Sequence, residues 1–297
     1  MNASLPAESF FKATIEEESI TQPDTFHNTI VQHYSRENLG EIILSALKKA
    51  GKDIDNLIPE DMAPIDEFHV RGRKATMELA NEVGLGPDMH VLDVGSGIGG
   101  PSRYIAGEFG CRVTGIDLTD AYCQVAQMLA ERVGLSNLVT YRQGDACDLP
   151  FPDDSFDVVW TQHTSVNISD KDLFCREMFR VLKKGGALAV YDILAGPVSP
   201  VHFPVPWAEQ PENSFLIQPD EFRQLIESSG FIIESWKDTT DIARAWFTNV
   251  SKKIHQQGFT PLGIHILLGP SFKVMAQNQR KNLEEDRIAL VQIVAKK

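Results

Sequence analysis

The sequence predicts an α/β fold, a mostly parallel sheet with helices packed on both faces. Three observations predict it. Apolar runs of strand length alternate with amphipathic stretches of helix length from about residue 89 onward. The run Val91-Leu92-Asp93-Val94 passes into the glycine-rich turn Gly95-Ser96-Gly97-Ile98-Gly99-Gly100, and Pro101 stands where a helix begins. The next run, residues 111–116, ends on Asp117, the place at which an acid grips a ribose diol in nucleotide-binding strand–turn–helix units.

Each element has its own signal. Strands are expected near 89–94, 111–116, 137–142, 155–160, 187–193 and 231–236, with a final strand over Ile288 to Val294. Helices are expected near 101–109, 120–133, 170–182 and 219–229. Thr119 and Ser169 read as N-caps and Pro219 as a first-turn proline. Gly134, Gly185 and Gly230 are expected to close helices. Upstream, a helix should follow Ser35, with Leu39, Ile42, Ile43, Ala46, Leu47 and Ala50 on one face and Gly51 at its end. A loop holding Pro59 and Pro64 leads to Phe68-His69, and a second helix carries Ala75, Leu79, Ala80 and Val83. Two segments break the rhythm: the proline-rich stretch 195–218 and the helix-like stretch 239–285.

Composition bounds the function. The 297 residues are 42% hydrophobic, enough for one large domain with elaborations. A net charge of -13 disfavours nucleic acid or an anionic membrane as a partner. No apolar run reaches the length of a membrane span, and the N-terminus (with Glu16-Glu17-Glu18 nearby) has no signal-peptide pattern. Cys111, Cys123, Cys147 and Cys175 form no C-x-x-C pair and no zinc spacing, so they read as reduced thiols. The cytoplasm is the expected location and no metal is expected.

Charge decides between cofactors. Gly95, Gly97 and Gly100 satisfy G-x-G-x-x-G, which alone is a weak dinucleotide signal. Asp93 would place a carboxylate beside the pyrophosphate of a dinucleotide, which prefers positive potential. S-adenosylmethionine has no phosphate and carries a sulfonium and an ammonium, both suited by an acid. Two charges about 4 Å apart at an effective dielectric near 20 interact by roughly 4 kcal/mol, so the sign matters. Asp145, in Gly144-Asp145-Ala146 after the third apolar run, stands where it can accept from an adenine amino group.

The run Asp93 to Gly99, Asp117, Gly144-Asp145-Ala146 and Leu182-Lys183-Lys184-Gly185-Gly186-Ala187-Leu188 resemble, in order, the motifs of class I S-adenosylmethionine-dependent methyltransferases. The resemblance covers about residues 70–236. Gly99-Gly100-Pro101-Ser102-Arg103-Tyr104-Ile105-Ala106 and Trp160-Thr161-Gln162-His163 narrow it to small-molecule enzymes of the sarcosine/dimethylglycine, tocopherol and sterol type. It implies a Rossmann-like methyltransferase fold with a seven-stranded sheet whose last two strands are antiparallel. It implies an N-terminal arm and helical lid over 1–68, and a core over 69–297 with lid inserts at 195–218 and 239–285. Cofactor contacts would come from Asp93, Gly95, Gly97, Asp117, Leu118, Asp145, Ala146 and Gln162. Tyr34 would cover the cofactor from the arm. His163 and His69 would stand near the chemistry, and His202, Trp207 and Arg71 would meet the substrate. Lid helices often form dimer contacts in such folds, so a homodimer is an expectation.

Methyl transfer from a sulfonium is an in-line displacement in which positioning can be worth about 7–11 kcal/mol. A base is needed only when the nucleophile must lose a proton. The expected acceptor is a small molecule, first an amine such as a methylated glycine. Acidity, the tryptophans (Trp207, Trp236, Trp246) and the basic trio Arg71, Arg73 and Lys74 favour it. The alternative is an apolar ring or isoprenoid. A nicotinamide oxidoreductase rests on the glycines alone, and a non-catalytic cofactor-binding module has no use for the large inserts.

Overall fold

The computed structural model describes residues 30–31, 33–34, 38–258 and 260–297. The expected arm upstream of residue 30 and the helix-preceding Ser35 lie outside the described residues. Among the described residues seven strands form one sheet: β1 (His90–Val94), β2 (Arg112–Asp117), β3 (Val139–Gln143), β4 (Phe156–Gln162), β5 (Leu182–Ala195), β6 (Ile232–Asp238) and β7 (Ile288–Lys296). Their order is β3-β2-β1-β4-β5-β7-β6. The first five pair in parallel, and β7 runs antiparallel between β5 and β6. The strand order therefore reverses between β1 and β4, which opens a crevice at the carboxyl end of β1, where open α/β sheets take their ligands.

The helices are α1 (Leu39–Lys49), α2 (Pro59–Asp66), α3 (Arg73–Val83), α4 (Gly100–Phe109), α5 (Asp120–Arg132), α6 (Lys171–Val181), α7 (Pro219–Ser228), α8 (Thr240–Gln257), the short α9 (His265–Leu268) and α10 (Phe272–Glu284). Both sheet faces are buried, as a parallel sheet requires. On β5, Ala187, Ala189, Tyr191 and Ile193 enter one apolar core, and Leu188, Val190 and Leu194 enter the other. A third cluster packs Leu39, Ile43 and Leu47 of α1 on Tyr122, Val125 and Leu129 of α5, together with Leu262, Ile266 and Leu267. This ties the α9 region to the core.

Several local expectations need correction. The Pro59–Pro64 stretch is the helix α2 rather than a loop: Pro59 sits in its first turn, where a missing N–H costs nothing. Asp170, not Ser169, caps α6, its Oδ1 accepting from Leu173 N at 2.9 Å. Helix α6 ends at Val181 and the chain passes directly into β5, so Gly185 closes no helix. Leu182 pairs with Phe156, and pairing resumes at Val158 with Ala187 after an irregularity. Ile42 lies at the edge of the α1 face, 36% exposed.

Candidate active site

The glycine turn is held by the sheet beneath it. Gly95 N and Ser96 N both donate to Ile116 O at the end of β2, at 2.8 and 3.0 Å. Gly95, Gly97 and Gly99 all take positive φ, so a residue with a Cβ would be strained at each. Asp117 shapes the same turn: one carboxylate oxygen accepts from Gly97 N and the other from Thr119 N, both at 2.8 Å. A carboxylate has about four lone-pair sites, so two remain for a ligand. Gly100 is required for a different reason. A Cβ there would lie 1.9 Å from the backbone oxygen of Asp66, because the end of α2 presses on the start of α4. Under this contact Arg103 donates to Asp66 at 2.6 Å and to Ile98 O at 2.7 Å, with both side chains fully buried. Burial pushes the Asp66 carboxyl up to about 6 even with the guanidinium beside it.

Asp93 differs from the expected open acid. Its side chain is buried under the turn, and Ser102 Oγ donates to it at 2.5 Å. Burial, offset in part by Ser102, pushes its carboxyl up to about 7. A cation arriving at the turn would restore its charge. Asp145 does what a turn acid does, accepting from Cys147 N at 2.8 Å, and it also faces the crevice.

A buried polar network closes the other side. Trp160 Nε1 donates to Gln162 Oε1 at 3.0 Å, and Gln162 Nε2 lies 3.2 Å from His69 Nε2. Thr76 Oγ1 donates to Glu67 at 2.9 Å and stands 3.1 Å from the same histidine nitrogen. Burial pushes the imidazole of His69 down to about 4. His163 has a positive φ of 54°, stacks on Tyr191 at 5.3 Å and meets His69 edge-on at 5.9 Å. Its Nε2 is buried without a hydrogen-bond partner among the described residues. Burial first, then His69, holds this ring well below the ordinary histidine range.

One cavity of about 1490 Å³ joins these groups. All eight expected cofactor residues line it, together with His69, His163 and Trp207. It runs from the carboxyl ends of the strands to α8, α9 and α10.

The profile of a family described as a methyltransferase domain matches residues 92–190, the stretch from β1 into β5. A sarcosine/dimethylglycine N-methyltransferase of Halorhodospira halochloris is 28% identical over 213 residues, which is 71% of this chain and 75% of that protein. The sterol 24-C-methyltransferase ERG6B of Gibberella zeae is 41% identical over 116 residues, 39% of this chain and 30% of that protein. The chain thus spans less than a third of the sterol enzyme's length.

Residues 92–190 of this chain are a methyltransferase domain.

Its cofactor is S-adenosylmethionine. Among solved structures, the [4+2]-cyclase SpnF shares the fold at a TM-score of 0.65 and 23% identity, covering 91% of this chain and 96% of that one. The architecture of this methyltransferase is therefore common to another chemistry, and its reaction has to be argued from the site.

Two residues expected at the substrate are elsewhere. Arg71 is buried with its guanidinium on Glu78, outside the cavity lining. Arg73 donates to Glu67 at 3.3 Å, so both arginines at the start of α3 are paired with neighbouring acids. His202 also lies outside the lining. It pairs with Glu285 at 2.8 Å and ties the proline-rich insert to the end of α10. Trp207 does line the cavity, and its Nε1 donates to Ser214 Oγ at 2.9 Å.

Other lining residues carried no single signal in the sequence. Glu67 is one, a buried acid whose carboxyl is raised by burial. Its sequence neighbours Asp66 and His69 were the available hint. Asn167 is another. Its Oδ1 accepts from Tyr34 O–H at 3.0 Å, and its amide donates to Trp207 O and Asn213 O at 2.8 and 2.9 Å. This one side chain fastens the N-terminal segment and the proline-rich insert to the loop after β4.

Proposed function

We propose that this methyltransferase transfers the methyl group to a bulky, largely apolar small molecule. The carrying observation is the single cavity of about 1490 Å³ that runs from the acid-lined turn into an apolar lid. Pockets for drug-sized ligands span about 300–1,000 Å³, so this volume accommodates the cofactor and a sizeable partner. Trp246, Phe247, Ile254, Leu262, Ile264 and Phe272 supply the apolar lining beyond the strand ends. In this reading the N-terminal region up to residue 68 and the inserts 195–218 and 239–285 act as the lid over a core that begins at residue 69.

The chain's own residues divide the work. Asp117 and Asp145 would hold the ribose and adenine of the cofactor, with Leu118 and Ala146 against the ring. Asp93 would compensate its positive end across the floor of the turn. S-adenosylmethionine, when bound, supplies an already activated methyl group. Gln162, His69 and His163 would orient the acceptor at the end of β4. Both imidazoles are held neutral by burial, so they serve better as positioning groups than as proton reservoirs. An acceptor that brings its own lone pair or double bond fits this floor.

The second reading is a small amine such as a methylated glycine, favoured by the sarcosine/dimethylglycine relative. Against it, Arg71 and Arg73 each pair with a neighbouring acid and lie outside the cavity lining. A cytoplasmic setting suits four free cysteines. Calorimetry should give binding of S-adenosylmethionine and none of NAD. A radiolabelled methyl donor offered with sterols, isoprenoids, sarcosine and dimethylglycine separates the two acceptor classes. Turnover of the amines alone would overturn the bulky-acceptor reading.

A further inference from the structure

The charges on the cavity wall are segregated. Among the described residues seven acids line it, all between residues 66 and 170, around the turn and the strand ends. The described lysines and arginines that line it are Lys253 on α8 and Lys273 and Arg280 on α10, all exposed. This runs against the composition, in which 41 acids outnumber 28 lysines and arginines. The side chains of Lys253 and Lys273 have no ion pair or hydrogen bond among the described residues, so neither serves a structural partner there. Arg280 has a single long exposed contact with Glu284 at 3.5 Å, the kind of pair that contributes little. The same wall carries the apolar side chains of Trp246, Phe247 and Ile264.

From this polarity we infer that the acceptor is an amphipathic anion. Its apolar body lies along the lid half of the cavity, and its carboxylate or phosphate is held at the mouth by Lys253, Lys273 and Arg280. The inference deepens the proposed function and rests on its placing the cofactor at the acidic end. The arrangement sets orientation: a cation is favoured at one end and an anion at the other, so a molecule with a charged head enters with its apolar end toward the turn. A methylatable atom would then sit on the apolar body, far from the charged head. Exposed charges are screened by salt, so the preference should weaken as ionic strength rises.

The test uses the full chain saturated with S-adenosylhomocysteine. Displacement of the neutral dye Nile red reports binding of dodecanoate, dodecyl phosphate and 1-dodecanol, each below its micellar concentration. Both anions should bind about tenfold more tightly than the alcohol at low salt, the product of three contacts each worth a fewfold at most. The gap should close in concentrated sodium chloride. The triple substitution K253Q/K273Q/R280Q should abolish the gap while leaving dodecanol and S-adenosylmethionine binding unchanged. A tighter grip on dodecyl phosphate than on dodecanoate identifies phosphate as the head group, and the reverse identifies carboxylate. Equal binding of alcohol and anions by the unsubstituted chain, or an anion preference surviving the triple substitution, overturns the inference. Failure of S-adenosylmethionine to bind would instead strike the proposed function, and calorimetry without the alkyl probes reads that separately.

Discussion

The two ends of the cavity are built in different ways. At the turn, backbone does the work: glycines at positive φ, amides on Ile116 O and Asp117, and an α2–α4 contact that admits no Cβ at Gly100. At the lid, side chains on α8, α9 and α10 form the wall, and backbone geometry sets little of its chemistry. The first end suits a ligand whose shape never changes, and the second suits one that differs from enzyme to enzyme. Substitutions at the turn should therefore damage stability and cofactor binding, and substitutions at the lid should change the acceptor alone.

The largest effect is expected beneath the turn. Asp66→Ala leaves the Arg103 guanidinium buried and unpaired, and breaking such a pair costs about 3–5 kcal/mol. Urea unfolding followed by circular dichroism should show it as a lowered midpoint at unchanged slope. A loss under about 1 kcal/mol would mean that this end is held by something other than the α2–α4 contact.

Next comes Asp93→Asn. It should weaken S-adenosylmethionine binding at least about tenfold, or about 1.4 kcal/mol, at pH 8. The pH dependence is the sharper readout. Burial holds the Asp93 carboxyl near 7, so between the ordinary carboxylate range and that value the folded protein keeps a proton that the unfolded chain has lost. Stability of the chain without cofactor should thus fall as pH rises from about 4 to 7, and the asparagine should remove that component. Binding of a cationic cofactor favours the ionised form. Affinity should decline as pH drops from 8 to 6, toward about tenfold per unit, with proton release seen by calorimetry in two buffers. A flat profile in the unsubstituted chain would remove Asp93 from the cofactor's charge balance.

How much of this was legible depends on the same contrast. Strands β1 to β4 and the acids Asp93, Asp117 and Asp145 could be read because a strand, its turn and its terminal acid are contiguous in sequence. Leu182 was missed as the start of β5 because Lys183-Lys184-Gly185-Gly186 reads as a break, whereas the sheet tolerates an irregularity there. Helix α2 was hidden by two prolines, one of which sits harmlessly in its first turn. The Glu67–His69–Thr76–Gln162 network joins residues up to 95 apart along the chain, and no local pattern encodes that. Arg71 and His202 were of the right type in the right segments. Their directions were decided by Glu78 and Glu285, which bind them first.

A smaller effect is expected at the lid. Trp246→Ala removes part of the apolar wall from a half-buried position on α8. Full burial of a large apolar side chain is worth about 1.5–3 kcal/mol, so the acceptor's KM should rise about tenfold or less. The Kd for S-adenosylmethionine should stay within about twofold, since Trp246 lies on α8 and not on the glycine turn. Equal damage to both constants would show the two ends to be mechanically coupled and would end the simple division between them.

The smallest effect is also the most discriminating for the site's boundary. His202→Ala deletes a histidine in the proline-rich insert, where a substrate contact would be natural. Its imidazole instead faces Glu285 in a pair that is partly open to solvent, while its backbone N–H and C=O are held by Asn282. The backbone contacts survive the substitution, so the insert should keep its place. Exposed pairs contribute little, and acceptor KM should change by less than about twofold, with kcat unaltered. A selective rise in acceptor KM, with S-adenosylmethionine binding intact, would show that the insert swings His202 onto the acceptor during turnover. The lid end would then be a moving surface, and the contrast with the fixed turn would be sharper still.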